Sequence, residues 1–154
     1  MRYLKALLVV AFAQALFVGA ALAQVHGTAE EAKALIEKAA AHIKAVGSEK
    51  ALADFAANDG KWREKDLYVF VIGYDGTMLS HGANKALMGK PMMEMKDVNG
   101  VFFTKVMIDN VKAGKNAWVD YMFSNPATKK IEPKSSYAIK APGMDAIVGA
   151  GIYK

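Results

Sequence analysis

The chain has 154 residues, a formal net charge of +5 and no cysteine. Without cysteine there can be no disulfides, c-type haem attachment, cysteine nucleophile or thiolate iron–sulfur ligation. The positive excess is spread along the chain without a basic block, which argues against a nucleic-acid-binding protein.

Residues 1–23 have the pattern of an export leader. Arg2 and Lys5 form a positive start, residues 6–18 are apolar apart from Gln14, and Ala21-Leu22-Ala23 supplies a small-x-small cleavage site before Gln24. The expectation is a cleaved signal peptide over 1–23 and a single domain over 24–154, periplasmic or secreted. An uncleaved anchor is the rival, because the apolar run approaches the length that crosses a bilayer.

Residues 28–46 predict a long helix. Thr28 with Glu31 three positions on makes a capping box, and Ala32, Leu35, Ile36, Ala39, Ile43 and Val46 share one face. Gly47 ends it, and Ser48 is expected to cap a shorter helix through Phe55. Residues 67–73 and 77–83 predict a hairpin turned at Tyr74-Asp75-Gly76. Its first strand is apolar on both faces, Tyr68, Phe70 and Ile72 against Leu67, Val69 and Val71, which places it inside a sheet covered on both sides. His81 is a polar handle on the second strand, either a pocket residue or a loop cap through the backbone.

Residues 84–115 form a crossover. They comprise one helical turn over 84–88, a break at Gly89-Lys90-Pro91, methionines at 92, 93 and 95, and a helix over 101–113. Flexible thioethers here fill gaps or adapt to a ligand. Residues 116–123, 131–140 and 145–153 complete the sheet as a meander, turned at Asn125-Pro126 and Pro142-Gly143. Gly149 and Gly151 are expected to leave space over the sheet, because a strand without side chains admits another group.

Catalytic and metal patterns are missing. His26, His42 and His81 lie in different elements, and no calcium loop, nucleophile elbow, phosphate loop or dinucleotide glycine pattern occurs. No cofactor, no metal and no enzymatic activity are expected. A binding set remains: Lys134 as a cation, Tyr121 and Tyr137 as hydroxyls, Trp118 as an indole, and His81 as a further donor. It suits a small organic ligand with an anionic end, a carboxylate. On regular strands Lys134 and Tyr137 face opposite ways, as do Trp118 and Tyr121. A bulge at Pro133 would shift that parity; otherwise only some of the five share a cavity.

Trp-Val-Asp-Tyr at 118–121, Asn125-Pro126, the run from Lys129 through Pro133-Lys134-Ser135-Ser136-Tyr137, and Val148-Gly149-Ala150-Gly151-Ile152-Tyr153 resemble the signature of single Cache domains of the second type. These are extracytoplasmic ligand sensors of bacterial receptors. Asp66-Leu67-Tyr68-Val69-Phe70 followed by His81-Gly82-Ala83-Asn84 is similar to that family's first hairpin. The resemblance implies a PAS-like α+β fold: a long N-terminal helix packed on a five-stranded antiparallel sheet, with a helical crossover. It further implies a pocket on the Lys134 side and a small-molecule sensor that works in signal transduction or chemotaxis. In such receptors the last strand feeds a transmembrane helix; none follows here, so a separate membrane receptor is the expected partner. An exported enzyme of unknown reaction and a ligand scavenger stay as alternatives. Oligomerisation through the long helix is open between a monomer and a weak homodimer.

Overall fold

Helix α1 (Ala29–Val46) begins where its capping box predicts. Thr28 Oγ1 accepts from the Glu31 N–H, and the Glu31 carboxylate accepts from the Thr28 N–H. The structure is a computed structural model describing residues 26–57 and 59–154, so the expected signal peptide over 1–23 lies outside the described residues. Ala32, Ile36, Ala39 and Ile43 form the buried stripe of α1. Gly47, at φ 83°, turns the chain directly into α2 (Ser48–Ala56). Ser48 is therefore the first helical residue and makes no cap bond, contrary to expectation; the glycine is the boundary of both helices.

Strands β1 (Arg63–Glu64) and β2 (Leu67–Tyr68) form a small ribbon. The main sheet holds β3 (Phe70–Gly73), β4 (Met78–His81), β5 (Val119–Ser124), β6 (Ile131–Lys140) and β7 (Ala146–Tyr153). Its order is β4-β3-β7-β6-β5, antiparallel throughout. The strand expected over 67–73 is thus divided at Val69, its first part pairing with the ribbon. A 3₁₀ turn (Lys85–Leu87) and α3 (Phe103–Lys112) make the crossover from β4 to β5.

Two apolar layers flank the sheet. Val71, Val148 and Ala150 meet α1 and α2, whereas Phe70, Ile72, Ile147 and Tyr153 meet Phe103, Met107 and Ile108 of α3. This is why β3 is apolar on both faces.

Of the two alternatives for Pro133, the bulge is not formed. Pairing of β5 with β6 runs unbroken from Val119↔Ser136 to Ser124↔Ile131, with Met122 opposite Pro133. Pro133 precedes the first β6–β7 pair, Lys134↔Tyr153, so its missing N–H leaves that ladder intact.

Candidate functional site

Because the parity of β6 is regular, Lys134, Ser136 and Ala138 face α3, while Tyr137 and Ile139 face α1. On β5, Val119, Tyr121 and Phe123 face α3. Trp118 lies on the α1 side, its ring centroid 5.4 Å from that of Tyr137. Of the five residues singled out in the sequence, His81, Tyr121 and Lys134 come together. Trp118 and Tyr137 pack in the opposite layer, under α1.

Lys134 is 2% exposed. Its stem crosses Gly151, where an added Cβ would lie 2.6 Å from Lys134 Cε, and the Phe70 ring lies over Gly149 in the same way. The space expected above these glycines exists, but the chain's own side chains fill it. Lys134 Nζ donates to the Tyr68 hydroxyl at 2.6 Å. It stands 4.1 Å from the Tyr68 ring centroid, 4.9 Å from Tyr153, 5.2 Å from Phe123 and 5.9 Å from Phe70. Tyr153 donates to the Ser124 carbonyl at 2.7 Å, and its oxygen is 3.3 Å from that of Tyr68. A carbonyl only accepts, so the phenol protons run in one direction, from Tyr68 to Tyr153 to Ser124. The Tyr68 oxygen is then the acceptor for Lys134.

Among the described residues, no carboxylate forms an ion pair with Lys134. Burial lowers its ammonium from the usual 10.5 to about 7, with the Asp66 charge opposing the fall. Asp66 itself is occupied by His26 Nδ1 at 2.6 Å and the Gly27 N–H at 2.8 Å.

His81 Nδ1 accepts the N–H groups of Ala83 and Asn84 at 3.2 and 2.9 Å, so the ring proton resides on Nε2. Burial, and then the charge of Lys134, lower this imidazole to about 3, which keeps it neutral. The loop-capping role is present, and the same ring also lines the cavity beside Lys134. Tyr121 sits directly opposite Lys134 in the register. It stacks on Phe103 with centroids 4.3 Å apart and shares a 2.9 Å hydrogen bond with Ser136 Oγ.

The chamber bounded by these groups is about 10 Å³, room for about one water. Met78, Met92 and Met107 form much of its wall. Outside it lies a vestibule of about 370 Å³ lined by Asn84, Leu87, Met95, Pro126 and Lys129. Tyr68, His81 and Phe123 border both spaces. Sequence reasoning missed the cage of Tyr68, Phe70, Phe123 and Tyr153. The available signal was Tyr68 and Phe70 at period two on one face of the first hairpin strand, but nothing local tied that face to Lys134.

The model of the Single Cache domain 2 family matches residues 4–154. The chain belongs to that family. The crystal structure of a methyl-accepting chemotaxis protein from Vibrio parahaemolyticus superposes on this single Cache domain with a TM-score of 0.72. The two are 24% identical, over 80% of this chain and 86% of that one. A Cache chemosensory domain, described as showing the structural basis for carboxylic acid recognition, gives a TM-score of 0.67 at 22% identity, covering 80% and 91% of the respective chains. At these identities the likeness shows a shared fold. The sensor histidine kinase MctS of Rhizobium johnstonii is 29% identical over 89 residues, which are 58% of this chain and 19% of the kinase. This single Cache domain thus spans about a fifth of that relative. Among its described residues no helix is long and apolar enough to cross a membrane, and no group of three or more His, Asp or Glu side chains is placed to hold a metal ion.

Proposed function

We propose that this single Cache domain is an exported, non-enzymatic sensor module that binds a small carboxylate at Lys134 and acts through a separate membrane receptor. One observation carries the reading: a fully buried amine, caged by aromatic rings and without a carboxylate partner among the described residues, forms part of the wall of a chamber next to an open vestibule. A carboxylate there would give the ammonium a counter-charge and an acceptor beyond Tyr68, a charge-assisted bond of about 1.5–3 kcal/mol. His81 Nε2–H is a second donor on the same wall. The chamber of about 10 Å³ is smaller than any carboxylate, so binding has to widen it. Met78, Met92 and Met107 suit that need, because unbranched thioethers repack at low cost. The fold likeness to a domain described for carboxylic acid recognition supports the ligand class, and the likeness to a sensor kinase supports a signalling role.

Thermal shift against small carboxylates, amino acids, amines and purines, followed by calorimetry, tests the reading. The expected best ligand is a small carboxylate, recovered chemically unchanged. Lys134→Ala should bind it about ten- to a hundredfold more weakly, the equivalent of the charge-assisted bond. A cation as best ligand, or undiminished binding by the variant, refutes it. Trp118 and Tyr137 take no part, since they lie on the other face of the sheet.

A further inference from the structure

A charged lysine has three N–H bonds to place. Lys134 places one on Tyr68, and among the described residues no second acceptor lies within hydrogen-bonding distance of Nζ. The four rings attract a cation, but they do not replace its hydration. An anion in the chamber changes this balance by supplying both acceptor and counter-charge. Resting on the proposed anion site, we infer that an anion binding while the Lys134 amine is neutral brings a proton with it, Lys134 being the group that receives it. The site then responds to the anion and to acidity together.

The surrounding groups leave Lys134 as the centre of that exchange. His81 on β4 stays neutral down to about 3, held there by burial and by Lys134. Burial raises the phenols of Tyr68 on β2 and Tyr121 on β5, and that of Tyr153 on β7 to about 12. From α3 the chamber receives Phe103 and Met107, which do not titrate. Arg63 on β1 acts on His81 and Tyr68 through its charge. Asp66, ahead of β2, acts on Lys134 through its charge and is paired with His26. Lys129 lines the vestibule, Glu132 on β6 acts on Tyr153 through its charge, and Asp97, Asp120 and Lys154 line a surface cleft that also includes Lys134 and Tyr121. Burial places the Lys134 midpoint at about 7 without a ligand. Below that pH the amine is already charged, and affinity should be flat. Above it each anion must bring a proton, so affinity should fall about tenfold per pH unit until the midpoint of the bound state is reached.

The probes are acetate and propionate, which stay ionised above about pH 6 because their carboxyl groups titrate near 4–5. Calorimetry on the exported protein should show binding about tenfold weaker at pH 8 than at pH 6. At pH 8 the heats in HEPES and Tris should differ by the difference between the two buffers' ionisation enthalpies for each proton taken up. In protein labelled with ¹³C-lysine, the Cε resonance absent from Lys134→Met should titrate near neutrality and move upward when a probe is added. His26→Asn should leave the pH profile unchanged. If a probe binds with the same affinity at both pH values and without a buffer effect, proton uptake is overturned while anion binding stands. A Lys134 midpoint above about pH 9 in the free protein overturns it independently of any probe. Loss of the pH profile in His26→Asn overturns the assignment to Lys134. Failure of every carboxylate to bind at any pH overturns both readings.

Discussion

Replacing Lys134 with methionine keeps an unbranched stem over Gly151 and removes the desolvated amine. The native amine titrates at about 7 against a usual 10.5. At about 1.4 kcal/mol for each pH unit between those values, the folded state bears a penalty of roughly 4 kcal/mol at pH 7. Loss of the bond to Tyr68 offsets about 1 kcal/mol of the gain. Lys134→Met should therefore be more stable than the wild type by roughly 2–4 kcal/mol at pH 7, while losing carboxylate affinity. The sign with pH is a separate check. Between about 7 and 10.5 the unfolded chain holds the Lys134 proton and the folded chain does not, so wild-type stability rises with pH. Methionine has no such slope, and other groups cancel between the two proteins. The gap should narrow by about 2 kcal/mol between pH 7 and pH 9. Urea unfolding followed through the fluorescence of Trp62 and Trp118 measures it. A gap that stays constant, or a variant less stable at pH 7, refutes the description of Lys134 as a desolvated cation.

Gly151→Ala would place a methyl group 2.6 Å from Lys134 Cε and against Ser136 Oγ. It should lower stability by about 1–3 kcal/mol in urea unfolding and weaken carboxylate binding by displacing the amine. Tyr121→Phe keeps the stack on Phe103 but leaves the buried Ser136 hydroxyl without its partner. A loss of about 1–2 kcal/mol is expected in the same assay. Export predicts a mature protein beginning at Gln24, measurable as intact mass in the periplasmic fraction. Protein that retains Met1 and sediments with membranes counts against cleavage.

Much of the fold was legible because it depends on near neighbours. The Thr28–Glu31 box and the stripe through Ile36 and Ile43 define α1 within a few turns, and alternation along β3 shows that both its faces are covered. Ser48 was misread for the same local reason: serine is a good cap, but Gly47 turned the chain one residue earlier. The family signature around Lys134 and Gly149–Gly151 was readable too, and the family it pointed to is the one to which the chain belongs.

What the sequence alone determined is which residues lie on the same side of each strand: Lys134 apart from Tyr137, Tyr121 apart from Trp118, Tyr68 together with Phe70. Tertiary structure decided which of those sides meet. The order β4-β3-β7-β6-β5 sets Tyr153 opposite Lys134 and brings Tyr68, 66 residues earlier in the chain, onto the same amine. Alternation is a property of one strand, whereas a shared cavity needs the register between strands and a covering layer, here α3. Burial follows from the same contacts. Only the closed sheet and its helix turn Lys134 from a strand lysine, ordinarily solvated, into a buried amine whose charged form is disfavoured by desolvation.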